Sequence, residues 1–213
     1  IMRTSFFAAV ALGVAGLSIS LTACQTATPK TAIYDFGLSP YTATPSTSTS
    51  TPASAKAPIV LVPLTARGVV DGTGVLYRLG YADAHQLLPY TQSRWTMPIP
   101  QLLHQRLQQH VGQSRAVLQP KQGVNMAVGT LRLHGEVEEF SHWFDAPQSS
   151  KAVVRIVITL GRVQNGGKEE FVAQRRFTAE RPAPSPDAAG GVMALTQASD
   201  AVIAEIAQWA GSY

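Results

Sequence analysis

The chain has 213 residues, a formal net charge of +4 and 45% hydrophobic residues, which is typical of a folded protein with one sizeable core. Its single cysteine, Cys24, lies near the N-terminus, so the sequence excludes a disulfide, a catalytic thiol and a cysteine metal site in the folded domain. The basic residues are scattered and form no run. This favours a solvated basic surface, or contact with anionic lipid headgroups or acidic proteins, over a nucleic-acid partner.

The first 23 residues have the pattern of a secretory signal peptide. Arg3 precedes an apolar stretch over 6–21, and small residues lead into Cys24. An apolar run of about 18 residues could also span a bilayer, so a retained transmembrane helix is the alternative. The small residues directly before Cys24 form a lipobox with it. This pattern favours cleavage of the signal peptide before Cys24 and attachment of acyl chains, palmitate among them, at Cys24. Gln25 stands where an aspartate would commonly retain a lipoprotein in the inner membrane, which favours the outer membrane facing the periplasm.

Residues 24–58 are predicted to form a lipid-anchored, flexible tether. From 39 to 58 the chain is almost wholly Ser, Thr, Pro and Ala, a composition that cannot offset the entropy cost of ordering. The short apolar patch at 33–38 is a candidate edge strand of the domain that follows.

Residues 59–213 are predicted to form one periplasmic domain. The expected elements of its first half are a buried strand at 59–64, a hairpin of strands at 74–79 and 84–88, a helix after the potential cap Thr96 that ends at Gly112, a short strand at 115–118 and a turn at 119–123.

Alternating apolar residues predict strands in the second half. One begins at Leu131, the next surrounds 153–160, and a third at 171–177 follows the turn residues Asn165-Gly166-Gly167. After a proline-rich breaker, the residues from Asp187 predict an amphipathic C-terminal helix. A mainly antiparallel sheet and two helices that each need to bury one face predict an α+β, two-layer sandwich.

The sequence contains no clear motif for catalysis or metal binding. The five histidines lack the HExxH spacing, and His134 and His142 flank Glu136, Glu138 and Glu139 on what reads as a solvated strand face. A metal site or a paired-carboxylate hydrolase is therefore the weaker alternative to a structural role. No nucleophile elbow or phosphate loop is present. We expect a protein that is not an enzyme and has no cofactor or metal.

Two aromatic and cationic sets are candidate partner contacts, with completion of the core as the alternative. They comprise Tyr77, Arg78, Arg94 and Trp95 in the first half of the domain, and Trp143 and Phe144 between two strands.

The chain resembles the ABC-type transport auxiliary lipoproteins, the PqiC-like lipoprotein partners of mammalian-cell-entry (MCE) lipid transport systems. The resemblance is carried by the lipobox, by Tyr34 to Leu38, by the apolar first strand, by Tyr77-Arg78, and by Tyr90 and Trp95 before a proline-containing helix start. It also includes Val137 to Phe140 and the long C-terminal helix. The long Ser/Thr/Pro stretch departs from the family pattern.

The resemblance implies a non-catalytic accessory component that acts by protein contacts with a periplasmic MCE-domain protein and its ABC permease. The membrane would be contacted through acyl chains on Cys24. The alternative is a general envelope-assembly or lipid-binding lipoprotein, which requires a lipid-sized cavity between helices and sheet.

Overall fold

A computed structural model describes residues 30–38, 58–118 and 126–213. The predicted signal peptide, Cys24, most of the predicted tether and the turn at 119–123 lie outside these ranges. The strands are β1 (Ala32–Tyr34), β2 (Ile59–Leu61), β3 (Thr65–Ala66), β4 (Gly74–Leu79), β5 (Asp83–Trp95), β6 (Val117–Leu118), β7 (Leu131–Ala146), β8 (Ser149–Val163) and β9 (Glu169–Pro182). The helices are α1 (Ile99–Val111) and α2 (Ala188–Ala210).

The three long strands β7, β8 and β9 form the predicted antiparallel meander. The turn between β8 and β9 depends on two adjacent glycines, because Gly166 and Gly167 have φ of 78° and 75°. Along β8, Val154, Ile156 and Ile158 are completely buried, as their spacing of two residues requires for one face of a sheet.

Strand β7 also pairs along its other edge, where short strands follow one another in parallel with it. Strand β2 pairs with 131–133, β3 with 136–137 and β4 with 142–144. Beyond β4 the order continues to β5 and β1. The sheet is therefore mixed, which the sequence pattern did not reveal, because parallel pairing joins segments that are far apart in the chain.

The start of the first helix differs from the prediction. Strand β5 extends to Trp95, well beyond the predicted end at 88, and α1 begins at Ile99 after Pro98. Thr96 does not cap the helix; its backbone N–H donates to the Tyr34 carbonyl, 2.8 Å away. Thr96 is thus hydrogen-bonded to the segment that forms β1 and does not cap the helix.

Both helices pack in one layer beside the sheet, with α2 against β8 and β9 and with α1 against α2. Asp187 caps α2 by accepting the Gly190 N–H at 2.8 Å. Leu195, Val202 and Ile206 of α2 are completely buried. The α+β two-layer sandwich is confirmed. No helix in the described ranges is long and apolar enough to cross a membrane.

The N-terminal segment 30–38 belongs to this domain. Strand β1 forms an outer strand of the sheet, parallel to 93–95 of β5. Phe36 then enters the core, with its ring 5.5 Å from that of Trp95 and 6.3 Å from that of Phe140. Since β1 and β2 lie in one sheet, the Ser/Thr/Pro-rich stretch joins two strands of the same domain.

Burial along α2 gives a direct test of this packing. The Leu195→Ala variant should lower the free energy of unfolding by about 2–5 kcal/mol, because it leaves a cavity between helix and sheet. Met193→Ala is the matched control: Met193 is 54% exposed, Leu195 is fully buried, and the control should cost less than about 1 kcal/mol. Urea unfolding would measure both, and equal losses would contradict the assigned helix face.

Candidate partner-contact site

Four of the six candidate contact residues come together where β4 runs beside the end of β7. Tyr77, Arg78 and Leu79 lie in register with His142, Trp143 and Phe144. Side chains alternate across a sheet, so Arg78 and Trp143 share the face opposite the helices, while Tyr77 and Phe144 point towards the core. We call the outward group the Arg78–Trp143 patch; it comprises Arg78, Glu139, Trp143, Asp145 and Lys151.

The Arg78 guanidinium is held in a fixed position. It donates to both carboxylate oxygens of Glu139, with Nη2–Oε2 and Nε–Oε1 distances of 3.0 and 3.3 Å. Its Nη1 also donates to the carbonyls of Ala84 and His85 on β5, at 3.3 and 3.4 Å. A two-pronged arginine–carboxylate pair is geometrically specific, so Arg78 ties the hairpin to β7 while remaining partly exposed.

Trp143 lies beside Arg78 with its ring against the Gly80 backbone. A Cβ at Gly80 would lie 2.5 Å from Cζ2 of the ring, so only glycine fits under it. The indole Nε1 donates to Oδ1 of Asp145 at 3.0 Å. Lys151 on β8 pairs with Glu180 at 3.0 Å, and this hydrogen bond raises the pKa of Lys151. The patch is therefore a preorganised surface of aromatic and charged groups.

Two of the six residues are buried and cannot offer a surface to a partner. Trp95 is 2% exposed and Phe144 is 6% exposed, so both complete the core, which is the alternative that the sequence left open. The Tyr77 ring packs edge-on against Phe144, with centroids 6.3 Å apart. Tyr77 thus supports the patch from beneath.

Arg94 lies apart from the patch, at the β1 end of the sheet. Its Nη1 donates to the carbonyls of Tyr90 and Ser93, at 2.6 and 3.0 Å. Ile33 of β1 is its neighbour in register. The structure therefore separates Arg94 from Arg78, although the sequence grouped the two.

Beneath the patch lies a buried histidine that the sequence analysis placed on a solvated face. His142 is completely buried, and its Nδ1 is 2.9 Å from the Tyr90 hydroxyl. Burial lowers the pKa of His142 to about 4, and the Asp187 carboxylate opposes this shift. Burial, with Tyr77 and Asp187 adding to it, raises the pKa of Tyr90. The neutral imidazole is thus a core group that accepts or donates one hydrogen bond.

The closeness of α2 to this histidine depends on a glycine. A side chain at Gly191 would collide with the His142 ring, so the first turn of α2 can approach β7 only without one. The alternation along β7 carries a signal for this placement, since His142 stands in the same inward phase as Phe140 and Phe144.

The glutamates considered for catalysis are each neutralised by a different arginine. Glu136 pairs with Arg67 at 2.7 Å, Glu138 with Arg176 at 2.8 Å and Glu139 with Arg78 at 3.0 Å. The hydrogen bond from Arg176 lowers the pKa of Glu138. A general acid needs a raised pKa, so this set does not resemble a paired-carboxylate hydrolase.

The metal site considered around the histidines also does not assemble. His134 Nε2 lies on the outer face, 2.7 Å from Glu169 Oε1, whereas His142 faces the core. Across the described ranges, no group of three or more His, Cys, Asp or Glu side chains is arranged to hold a metal ion.

The buried His142 predicts a pH-dependent stability. The unfolded chain binds a proton near pH 6.5, whereas the folded imidazole resists protonation down to about pH 4. Stability should therefore fall as the pH falls through this window, by up to about 3 kcal/mol from this group.

The His142→Gln variant removes this contribution and keeps a polar side chain. Urea unfolding between pH 7 and pH 4 should show a smaller loss of stability in the variant than in the wild type. Carboxylates whose pKa is lowered by groups other than His142, such as Glu138 beside Arg176, contribute equally to both proteins. Parallel curves for the two proteins would contradict the role of His142.

Comparison with known proteins identifies the family of this chain. The model of the ABC-type transport auxiliary lipoprotein component family matches residues 38–207. The fold is similar to a crystal structure from Xanthomonas campestris assigned to DUF330, with a TM-score of 0.61 and 20% identity over 75% of this chain and 88% of that one. An uncharacterized protein of known structure has a TM-score of 0.60 and 16% identity over 85% of this chain and 99% of its own.

A search of curated proteins finds no significant match. The two structures show the fold alone, because their sequence identities are low. The family match spans α1, all but the last three residues of α2, and most of the sheet. The chain therefore belongs to the ABC-type transport auxiliary lipoprotein component family.

Proposed function

We propose that this protein is a lipid-anchored, non-catalytic component of an MCE-type lipid transport system at the outer membrane. It acts by protein contacts with a periplasmic MCE-domain protein, and through that protein with the ABC permease. The family match over 38–207 carries this proposal, because the family is described as an auxiliary lipoprotein of ABC-type transport. Acyl chains on Cys24 attach the domain to the membrane.

The Arg78–Trp143 patch is the proposed contact surface for the MCE-domain protein. Tryptophan and arginine are enriched among the residues that dominate binding energy at interfaces. Both side chains are already held by hydrogen bonds in the free protein, with Arg78 on Glu139 and Trp143 on Asp145. Binding would therefore cost little side-chain entropy.

The packing between sheet and helices supports protein contact over lipid carriage. Completely buried side chains of α2, such as Leu195 and Val202, and of β8, such as Ile156, occupy the space where a bound acyl chain would lie. A groove of about 440 Å³ at the C-terminal ends of the helices is lined by Gln113 and Gln208 together with Ala204 and Ala207. A second groove, of about 410 Å³, opens between Leu64 and the first turns of α1. Both grooves lie outside the closely packed layer between α2 and the sheet.

The contact surface can be tested by affinity purification from native membranes. Trp143→Ala should weaken recovery of an MCE-domain protein by at least about 30-fold, as for the truncation of an interface hot spot. Phe171→Ala is the matched control, since Phe171 is an aromatic residue on β9 that is 67% exposed. Unfolding curves would confirm that both variants are folded.

A second pair of variants tests whether the partner requires Arg78 itself or only an arginine–glutamate ion pair on β7. Arg78→Ala and Arg176→Ala each remove an arginine from an ion pair with a β7 glutamate, but only Arg78 lies in the patch. We expect only Arg78→Ala to lose the partner. Equal recovery with all four variants would exclude the patch, and failure of the wild type to recover any MCE-domain protein or permease would contradict the proposed function.

Lipidation of Cys24 has its own test. Labelled palmitate should be incorporated into the wild type and lost in Cys24→Ala. On a density gradient, the wild type should migrate with outer-membrane markers. The variant keeps its uncleaved apolar signal segment and should stay with inner-membrane markers. Labelling without Cys24, or migration of the wild type with inner-membrane markers, would contradict the proposed anchor or its location.

A further inference from the structure

We infer that the β1 edge of the domain lies against the bilayer, where Lys30, Ile33, Leu38 and Arg94 contact lipid headgroups. The inference rests on the proposed lipidation of Cys24. It adds which surface of the domain meets the membrane and which surface faces away.

The distance from the anchor to the folded domain is short. Only seven residues, 25–31, separate Cys24 from the start of β1 at Ala32. Eight steps of extended chain span at most about 28 Å. As a flexible coil they would average about 16 Å. A domain of this size is roughly 40 Å across. The linker of residues 25–31, which we call the leash, is therefore shorter than the domain.

The end of the leash is firmly attached to the fold. Strand β1 pairs with three residues of β5, and the Tyr34 carbonyl accepts the Thr96 N–H at 2.8 Å. Phe36 is 7% exposed, and its carbonyl accepts a hydrogen bond from Arg106 Nη2 at 2.5 Å. Arg106 itself pairs with Asp200 of α2 at 3.1 Å. These contacts place the membrane attachment point at β1.

The Ser/Thr/Pro-rich stretch therefore lies outside the connection between anchor and domain. Were residues 24–58 all tether, about 120 Å of extended chain would separate Cys24 from Ile59 and the domain could turn freely. Because β1 is docked, the residues from 39 to 57 leave the sheet and return to it at β2. Their length has no bearing on the distance to the bilayer.

The chemistry of the β1 edge suits a lipid surface. Ile33 is 68% exposed and Leu38 is 98% exposed, so two aliphatic side chains close in sequence face the solvent here. Lys30 is exposed at the start of the segment. Within the described residues, Arg94 beside Ile33 binds backbone carbonyls and makes no ion pair. Cations next to exposed aliphatic groups match anionic headgroups above an apolar layer.

The one carboxylate on this segment is already engaged. Asp35 Oδ1 accepts the Gly37 N–H at 2.8 Å, within the turn that follows β1. Gly37 has a φ of 62°, which favours glycine at this position. The turn brings Leu38 out of the fold after Phe36 has entered it.

The opposite edge of the sheet is then directed away from the membrane. From β1 the order runs through β5, β4, β7 and β8 to β9. Five strand spacings amount to about 24 Å. An inverted domain, with β9 against the bilayer and β1 above it, would need the leash almost fully stretched. With the sheet standing on its β1 edge, β9 is presented to the periplasm.

Site-specific fluorescence quenching tests this orientation in the full lipidated protein. Cys24 is the only natural cysteine and its thiol is blocked by the lipid, so single cysteines introduced elsewhere can be labelled selectively. Ile33→Cys and Phe171→Cys form a matched pair, because the two side chains are 68% and 67% exposed on opposite edges of the sheet. Each would carry the same environment-sensitive dye.

The proteins would be reconstituted in vesicles of phosphatidylethanolamine and phosphatidylglycerol at 3:1, with a quencher on the headgroup. We expect quenching at position 33 to exceed that at position 171 by at least twofold. Equal quenching in protein that floats with the vesicles would overturn the inference and leave the anchor intact. Failure to float would overturn the lipid anchor, and the inference with it.

The length of the leash gives an independent control. Insertion of twenty Gly and Ser residues after Thr28 should reduce quenching at position 33, because the domain gains distance. The same insertion after Ser48 should leave quenching unchanged. The reverse result would restore the Ser/Thr/Pro-rich stretch as the tether and overturn the inference. Thermal unfolding would verify that both insertions leave the domain folded.

Discussion

The sheet depends on strand β7, which has hydrogen-bonding partners along both of its edges. One edge pairs with β8 in an antiparallel ladder from Leu131 to Ala146. The other edge pairs with β2, β3 and β4 in turn, and β7 is the strand with which all three of them pair. Irregularities between Val137 and Glu139 and between Phe144 and Ala146 shift the register of the β7–β8 ladder. Because β7 aligns all of these segments, it also decides which side chains of distant segments meet.

The candidate site follows from that alignment, and this explains how much of it could be predicted. The sequence identified Tyr77-Arg78 and Trp143-Phe144 as separate sets, but their contact requires the parallel pairing of β4 with β7. Local patterns predicted the β7–β9 meander, the Gly166-Gly167 turn and the C-terminal helix, since each depends on neighbouring residues. Parallel registers are selected by packing of the whole domain, and no short motif encodes them.

Arg106 shows how one buried charge can organise an N-terminal segment. It is 5% exposed, binds the Phe36 carbonyl and lies 5.7 Å from the Phe36 ring centroid. The partner carboxylate Asp200 is itself partly desolvated, which raises its pKa, while Arg106 opposes that shift. Removing Asp200 would leave the buried Arg106 charge without its partner carboxylate. The contact joins β1, α1 and α2 at the point where the chain enters the domain.

Strand β9 has a long outer edge, which would ordinarily invite a second copy of the same strand to add to the sheet. Its sequence opposes this. If two copies paired antiparallel about a two-fold axis at the centre of the strand, Arg175 or Arg176 would stand opposite the same arginine of the other copy. Like charges placed directly opposite across a strand pair are unfavourable. The edge therefore opposes pairing with its own copy in this arrangement, while its backbone groups remain available to a strand of different sequence.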